Sequence, residues 1–453
     1  MKQTKGYVYI IMILGALGGI LYGYDIGVMN AAVIFINKEI VMSHGQESLL
    51  LGSVLGGGAL ATLFAGKVSD IIGRKVSILI SCVIFILSTF IIMSSHGYES
   101  LLIGRLVQGI AVGIVTIVIP LYIVEVIPEN LRGKGIALFQ LMLTLGIVGA
   151  GYVGYLYTKW FPTNGHWRDM FGTSMVPAIF LLIGGAVFLP TSSRWLFMKG
   201  KAEKAKANLY KIYNENIVEH EYEKIKKSIA VGTTFQDFLA GFKNKKVVVL
   251  FISVALIAML QQLTGINTFL QYSSSLLVKS GLTASTTAVF SSTVIMLINF
   301  VVTIIALCLI DYAGRRPLVL FGTFIVFLAL ILMAICYYFL GASSLKGYCM
   351  LTLLCLFIIG YAVGPGVCIW ALLSEPLPNK MRSVGMSIAL FLNSGMSFLY
   401  GSLFLPLSAH IGFAGLFLIS AISVLIYHIL IRKNIPETGN LSLEEIEDNL
   451  YKA

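Results

Sequence analysis

Charge is scarce in this chain. Only 12% of its 453 residues are Asp, Glu, Lys or Arg, while 57% are hydrophobic and the mean hydropathy is +0.89. Soluble domains carry about 25% charged residues, so a water-facing fold of two or three domains is excluded despite the length. Cysteines with useful spacing are also missing. All six (Cys82, Cys308, Cys336, Cys349, Cys355 and Cys368) fall in or at the ends of apolar stretches. Neither a disulfide framework nor a zinc site is expected, and no cofactor. The first apolar stretch has no convincing small-residue cleavage site behind it, so it reads as a retained helix. Acidic residues number 21 against 32 basic ones, a net charge of +11 that would suit nucleic acid if it were clustered.

It is not clustered, because what the chain does have is apolar runs. Twelve lie near 7–36, 48–66, 76–95, 101–122, 134–157, 170–190, 246–278, 284–310, 317–340, 347–373, 383–405 and 410–431. Each reaches or approaches the roughly 20 residues that cross a hydrocarbon core, and twelve crossings put both termini on one side. Twenty-six of the 32 Lys and Arg lie on that side, five lie on the other, and Arg105 lies inside a run. Such a bias places the termini and the long 191–245 segment in the cytoplasm. The basic charge is therefore a topology signal, and nucleic acid is not an expected partner.

The chain repeats itself. Asp70-Ile-Ile-Gly73-Arg74-Lys75 follows the second run, and Asp311-Tyr-Ala-Gly314-Arg315-Arg316 follows the eighth. After the fourth come Glu125, Pro128 and Arg132; after the tenth come Glu375, Pro378 and Arg382, with the same offsets. Two elements recurring in order mark an internal duplication, and parallel six-helix repeats around a central site are a transporter architecture. The expected layout is 1–190, a six-helix bundle; 191–245, a linker with short amphipathic helices; 246–431, a second bundle; and 432–453, a tail. Gly73 and Gly314 permit tight turns, and the acidic and basic groups beside them can pair when the cytoplasmic side shuts. The alternative is that these arginines only enforce topology. The linker, likewise, is either a solvated connection or a brace between the halves.

Two ionisable groups lie well inside runs: Asp25 and Arg105. Each costs about 2.5–3.5 kcal/mol at a helix centre, so each calls for a partner. At about 1.5 Å per residue, Asp25 is roughly 27 Å along the first span. Arg105 is about 6 Å below the outer surface, at a similar height in a core of about 30 Å. An Asp that releases Arg when protonated can couple a proton to a conformational change; a fixed structural pair is the alternative. The other polar groups are mostly amides: Gln140, Gln261, Gln262, Asn267, Gln271, Asn299 and Asn393, with one aromatic plate at Trp370. Amides can glue helices together. Many neutral donors and acceptors converging on one aromatic ring also suit a polyhydroxylated neutral ligand. Gly265 and Gly364-Pro365-Gly366 interrupt spans beside them.

The stretches GGILYGYDIGV (18–28), GKVSDIIGRK (66–75), GRLVQG (104–109), PLYIVEVIPENLRG (120–133), QQLTGIN (261–267), DYAGRRP (311–317) and PETGNLSLEEIE (436–447) resemble the sugar porter family of the major facilitator superfamily, over nearly the whole chain. The resemblance implies an all-α membrane protein of twelve transmembrane helices in two six-helix repeats, working by alternating access and not as an enzyme. It implies that Asp25 matches the proton-carrying aspartate of bacterial proton–monosaccharide symporters and Arg105 its partner. Gln140, Gln261, Gln262, Asn267, Asn299 and Trp370 match sugar-contacting positions. Asp70, Arg74, Glu125, Arg132, Asp311, Arg315, Glu375 and Arg382 match the cytoplasmic gate. Three departures stand out. Gln271-Tyr272 replaces two tyrosines and Asn393-Ser394 lacks the usual tryptophan, which together would reshape the pocket. Thr191-Ser192-Ser193-Arg194 lacks the acidic partner expected for Arg194, weakening one corner of the gate.

The expected function is proton-coupled import of a monosaccharide or related polyol through a bacterial cytoplasmic membrane, by a monomer. A facilitator or an inositol porter is the alternative in class. A membrane sugar sensor is disfavoured by the short tail, and a multidrug exporter by the amides.

Overall fold

The computed structural model describes residues 2–163, 166–213, 215–230, 242 and 244–437. Eleven helical stretches are long and apolar enough to cross a membrane among the described residues. The last of them, Val384–Asn434, is two spans run end to end, parted at Gly412 (φ 71°, ψ 168°). Twelve spans result. The first six are Lys2–Glu39, His44–Ile72, Arg74–Met93, Tyr98–Val126, Glu129–Trp160, and a sixth in two pieces, Trp167–Gly172 and Met175–Phe188. The seventh is also in two pieces, Lys245–Leu263 and Ile266–Ser280. The eighth is Ser285–Ala313 and the ninth Arg315–Phe339. The tenth runs Ser344–Tyr361, a π-turn Ala362–Gly366, then Val367–Ser374. The first, second, fourth and fifth helices outrun their apolar stretches by about a turn at either end, because hydropathy marks the hydrocarbon crossing and not the helix ends.

Local chemistry explains the breaks. Gly73 (φ 98°) and Gly314 (φ 84°) each close one helix and open the next in a backbone region that side chains rarely adopt. The repeated Asp-x-x-Gly-Arg motif therefore forms the same turn twice. Gly265 (φ 88°) breaks the seventh span. At Pro365 the sequence reading expected a kink. The chain instead widens by one residue into a π-turn, which absorbs the missing N–H donor.

Small residues set the tightest packing. Gly19, Gly23 and Gly27 form one stripe of the first span, and a side chain on any of them would strike the backbone of the fifth span, at Phe139, Leu143 and Ile147 respectively. Gly57 and Gly109 do the same where the second span crosses the fourth. Close backbone approach replaces the hydrophobic effect, which lipid tails cannot supply between helices. Burying the glycine stripe against the fifth span leaves Asp25 to face elsewhere.

The linker forms Ser193–Met198, Ala202–Ile212 and Glu215–Ala230. Ala205, Leu209 and Ile212 bury one face of the middle helix, and Lys224 Nζ meets Glu129 Oε1 at 2.6 Å. These three linker helices thus lie against the first six spans.

The two groups of six spans join on the side of the molecule away from the termini. There Asn30 Nδ2 donates to Leu270 O and Ser273 Oγ, both at 2.7 Å, and Ser274 Oγ donates to Asn30 O. Leu405 N donates to Ser48 Oγ at 2.9 Å, and Thr293 Oγ1 to Gly151 O at 3.0 Å. At the terminus end, no ion pair among the described residues crosses between the groups. The form is closed at the far end.

Candidate functional site

A cavity lies between the halves, lined from the first, second, fourth and fifth spans and from the seventh, eighth, tenth and eleventh. Gln140, Gln261, Gln262, Asn267, Asn299, Trp370 and Asn393 all line it. These amides and the indole come from five spans, two of them broken at that level: Gly265 lies between Gln262 and Asn267, and the π-turn ends four residues before Trp370.

The amides hold one another. Gln262 Nε2 donates to Asn393 Oδ1 at 3.0 Å, and Asn267 Nδ2 donates to Gln262 Oε1 and Ser397 Oγ, each at 3.0 Å. Asn393 Nδ2 donates to Ala258 O at 2.7 Å and Gln261 Oε1 at 3.0 Å, and Gln261 Nε2 donates to the Tyr361 hydroxyl. Trp370 Nε1 reaches Gln140 Oε1 across the halves at 3.5 Å, the long limit of a hydrogen bond. A chain of neutral donors and acceptors, already oriented, can exchange partners with hydroxyls at little reorganisation cost.

Gln271 is a correction. It is buried and does not line the cavity. It lies one turn beyond Asn267, where the seventh span enters the closed far end, beside the Asn30 contacts with Leu270 and Ser273. Ser394, the other pocket departure, does line the cavity. Sequence reasoning missed the hydroxyl-bearing lining residues, chief among them Tyr22, Tyr361 and Ser397. The available signal was spacing: Tyr22 is one helical turn before Asp25, and Tyr361 is the last residue before the π-turn.

Arg105 lies on Asp25, its Nη1 donating to Oδ1, with both side chains almost wholly removed from solvent. The pair does not line the cavity; Tyr22 and Ile26, on either side of Asp25, do. The Phe171 ring of the sixth span stands 5.4 Å from the guanidinium. With an aromatic ring on one side and its one anion on the other, the buried guanidinium is sensitive to any proton that reaches Asp25.

At the terminus end the repeated charges pair within each half among the described residues. Arg74 Nη2 meets Asp70 Oδ1 at 2.6 Å and Glu125 Oε1 at 2.9 Å. Arg132 bonds Glu129 at 3.3 Å and the carbonyl of Ile127. Arg315 stands 3.8 Å from Glu375, and Arg382 donates to the carbonyls of Ser374 and Leu377. The side chain of Asp311 and the tail beyond 437 lie outside the described residues. Glu437, missed from sequence, accepts from the backbone N–H groups of Arg315 and Arg316 at 3.0 Å each, capping the ninth span.

The corner around Arg194 also differs from expectation. Arg194 is exposed, but Ser192 is buried, and its Oγ donates to Glu125 Oε2 at 2.6 Å. Serine thus ties the end of the sixth span into the Arg74–Glu125 cluster without an acid. A hydrogen bond to a charged group contributes about 1.5–3 kcal/mol. Ser192→Ala is expected to lower the thermal midpoint of the purified protein by a few degrees, read by intrinsic fluorescence in detergent, whereas Arg194→Ala leaves it in place.

Comparison with known proteins agrees in family and fold. Residues 11–450 match the family described as "Sugar (and other) transporter". The chain is 34% identical over 452 residues to the glucose transporter GlcP of Staphylococcus epidermidis, covering 99% of this chain and 98% of that one. It is 32% identical over 454 residues to the galactose-proton symporter of Escherichia coli, covering 100% and 96%. The solved structure of the proton:xylose symporter XylE bound to 6-bromo-6-deoxy-D-glucose superposes with a TM-score of 0.80 at 27% identity, over 99% of this chain and 100% of that one.

Proposed function

Because this chain belongs to the sugar (and other) transporter family, we propose that it imports a monosaccharide together with a proton, by alternating access of its two six-helix halves. The observation that carries the coupling is the buried Asp25–Arg105 pair, set directly behind the cavity wall. The substrate class rests on the cavity itself: amides, hydroxyls and one indole, and no Asp, Glu, Lys or Arg among its lining residues. A charged substrate would leave its charge unanswered there, at a cost of several kcal/mol.

Sidedness follows the distribution of Lys and Arg. With the terminus side in the cytoplasm, the closed far end is the outer gate and the form described is inward-facing. The first six spans, the linker helices and the last six spans are then the moving halves and their connection, in the membrane of a bacterial cell. Asp70, Arg74, Glu125, Arg315 and Glu375 brace the inner ends of each half. The Asn30 and Ser48 contacts hold the outer side shut while sugar leaves inward.

The test is proton movement. Purified protein in proteoliposomes, given an inward sugar gradient and no other driving force, is expected to alkalinise the outer medium as sugar enters. Sugar equilibration with no pH change would leave a facilitator. A panel of pentoses, hexoses and inositols in the same assay identifies the substrate.

A further inference from the structure

We propose that Gln108 is a positioning residue for proton coupling: it holds the Arg105 guanidinium when Asp25 takes up a proton. The inference rests on the reading that Asp25 carries the coupled proton. Gln108 lies one helical turn beyond Arg105 on the fourth span and is wholly buried. Its Oε1 accepts from Arg105 Nη1 at 2.9 Å, the same nitrogen that donates to Asp25. Its Nε2 points the other way, toward Thr89 Oγ1 at 3.4 Å, which keeps the carbonyl end of the amide turned to the guanidinium. Arg105 Nε and Nη2 have no hydrogen-bond partner. Among the described residues, Gln108 is thus the one acceptor besides Asp25 for this cation.

The chemistry follows from counting partners. When the Asp25 carboxylate binds a proton, no other bond forms and Arg105 keeps its own protons. The guanidinium loses its anion yet stays buried. With Gln108 present, Nη1 keeps a neutral acceptor that moves with it on the same helix, so protonation costs less. Without Gln108, the cation depends on ionised Asp25 alone, and Asp25 releases its proton more readily. Around the pair, the remaining titratable groups are phenols: Tyr22 and Tyr24 on the first span, Tyr157 on the fifth beside Tyr24, and Tyr361 on the tenth beside Tyr22. The sixth span presents the Phe171 ring, and the fourth contributes Arg105 itself.

The experiment is the pH profile of sugar-driven proton uptake in proteoliposomes, each protein scaled to its own maximum. In Gln108→Leu the half-maximal pH is expected to move toward acid by about one unit, the size set by one hydrogen bond to a charged group. A profile coincident with wild type, or displaced toward alkali, overturns the proposal. If Gln108→Leu does not fold, Gln108→Glu carries the test. Its carboxylate gives Arg105 a second anion and repels ionised Asp25, so its profile moves toward alkali; coincidence with wild type again overturns the proposal. Absence of coupling in wild type removes the proton-symport reading and this inference with it. Coupling in wild type with an unmoved variant profile removes this inference alone.

Discussion

Asp25→Asn is expected to abolish sugar accumulation while sugar–sugar exchange persists. Asparagine keeps the size of aspartate and one carbonyl oxygen for Arg105 Nη1, so the contact that orients the guanidinium survives. It cannot bind and release a proton near neutral pH. Net uphill uptake needs that cycle; counterflow across a membrane with sugar on both sides needs only that the halves rock with sugar bound. Radiolabelled sugar in energised vesicles should therefore reach the external concentration and stop, a complete loss of concentrating power. Counterflow in unenergised vesicles should remain measurable. The arrangement favours this outcome because Asp25 lies outside the cavity lining, so its loss removes no ligand contact. Loss of both activities would mean a fixed ion pair, since breaking a buried pair costs about 3–5 kcal/mol when a charge is left alone.

How much of this was legible in the sequence depended on whether a feature is set within one helix, within one half, or between halves. The spans were legible because hydropathy reports each crossing independently. The turns at Gly73 and Gly314 were legible because a local motif dictates a local backbone. The Asp25–Arg105 contact was legible from height alone, since two lone charges at one depth in lipid have few other solutions. Contacts between elements were not. Gln271 shares the helix face of Asn267 by spacing, but its place depends on where the halves touch, and they close on each other at its level. The Thr191-Ser192-Ser193-Arg194 stretch was read as lacking an acidic partner for Arg194, but what ties it to the first half is the Ser192 hydroxyl on Glu125. The charged residues were expected to pair when the terminus end shuts; in the form described, the contacts among the described residues lie inside each half. Sequence spacing names the groups at a helix end without saying which neighbour they face. The phenols and hydroxyls of the cavity went unread because Ser, Thr and Tyr occur throughout membrane helices, where they bond their own backbone as often as a ligand. Ser69, Ser77 and Thr89 do so here.

The repeated motif implies equal corners in the two halves, yet truncating its arginines should have unequal effects. Arg74 and Glu125 are both nearly sealed from solvent, at 5% and 4% side-chain exposure, and 2.9 Å apart. Arg74→Ala would leave the Glu125 carboxylate buried, with the Ser192 hydroxyl its one remaining polar partner among the contacts described. A stability loss of about 3–5 kcal/mol follows. The Asp70 contact adds little, because that carboxylate is half exposed. In the second half, Arg315 and Glu375 are 3.8 Å apart, beyond hydrogen-bond reach, and 20% and 22% exposed; through so loose a pair Arg315→Ala is expected to cost about 1 kcal/mol or less. Thermal unfolding in detergent should rank Arg74→Ala far below Arg315→Ala, and equal losses would refute the asymmetry. The same reasoning makes Arg74 and Ser192 non-additive. Each supports one oxygen of Glu125, so once Arg74 is gone the carboxylate leans wholly on Ser192. Ser192→Ala should then cost more in the Arg74→Ala background than alone, a coupling that a double-mutant cycle reads directly.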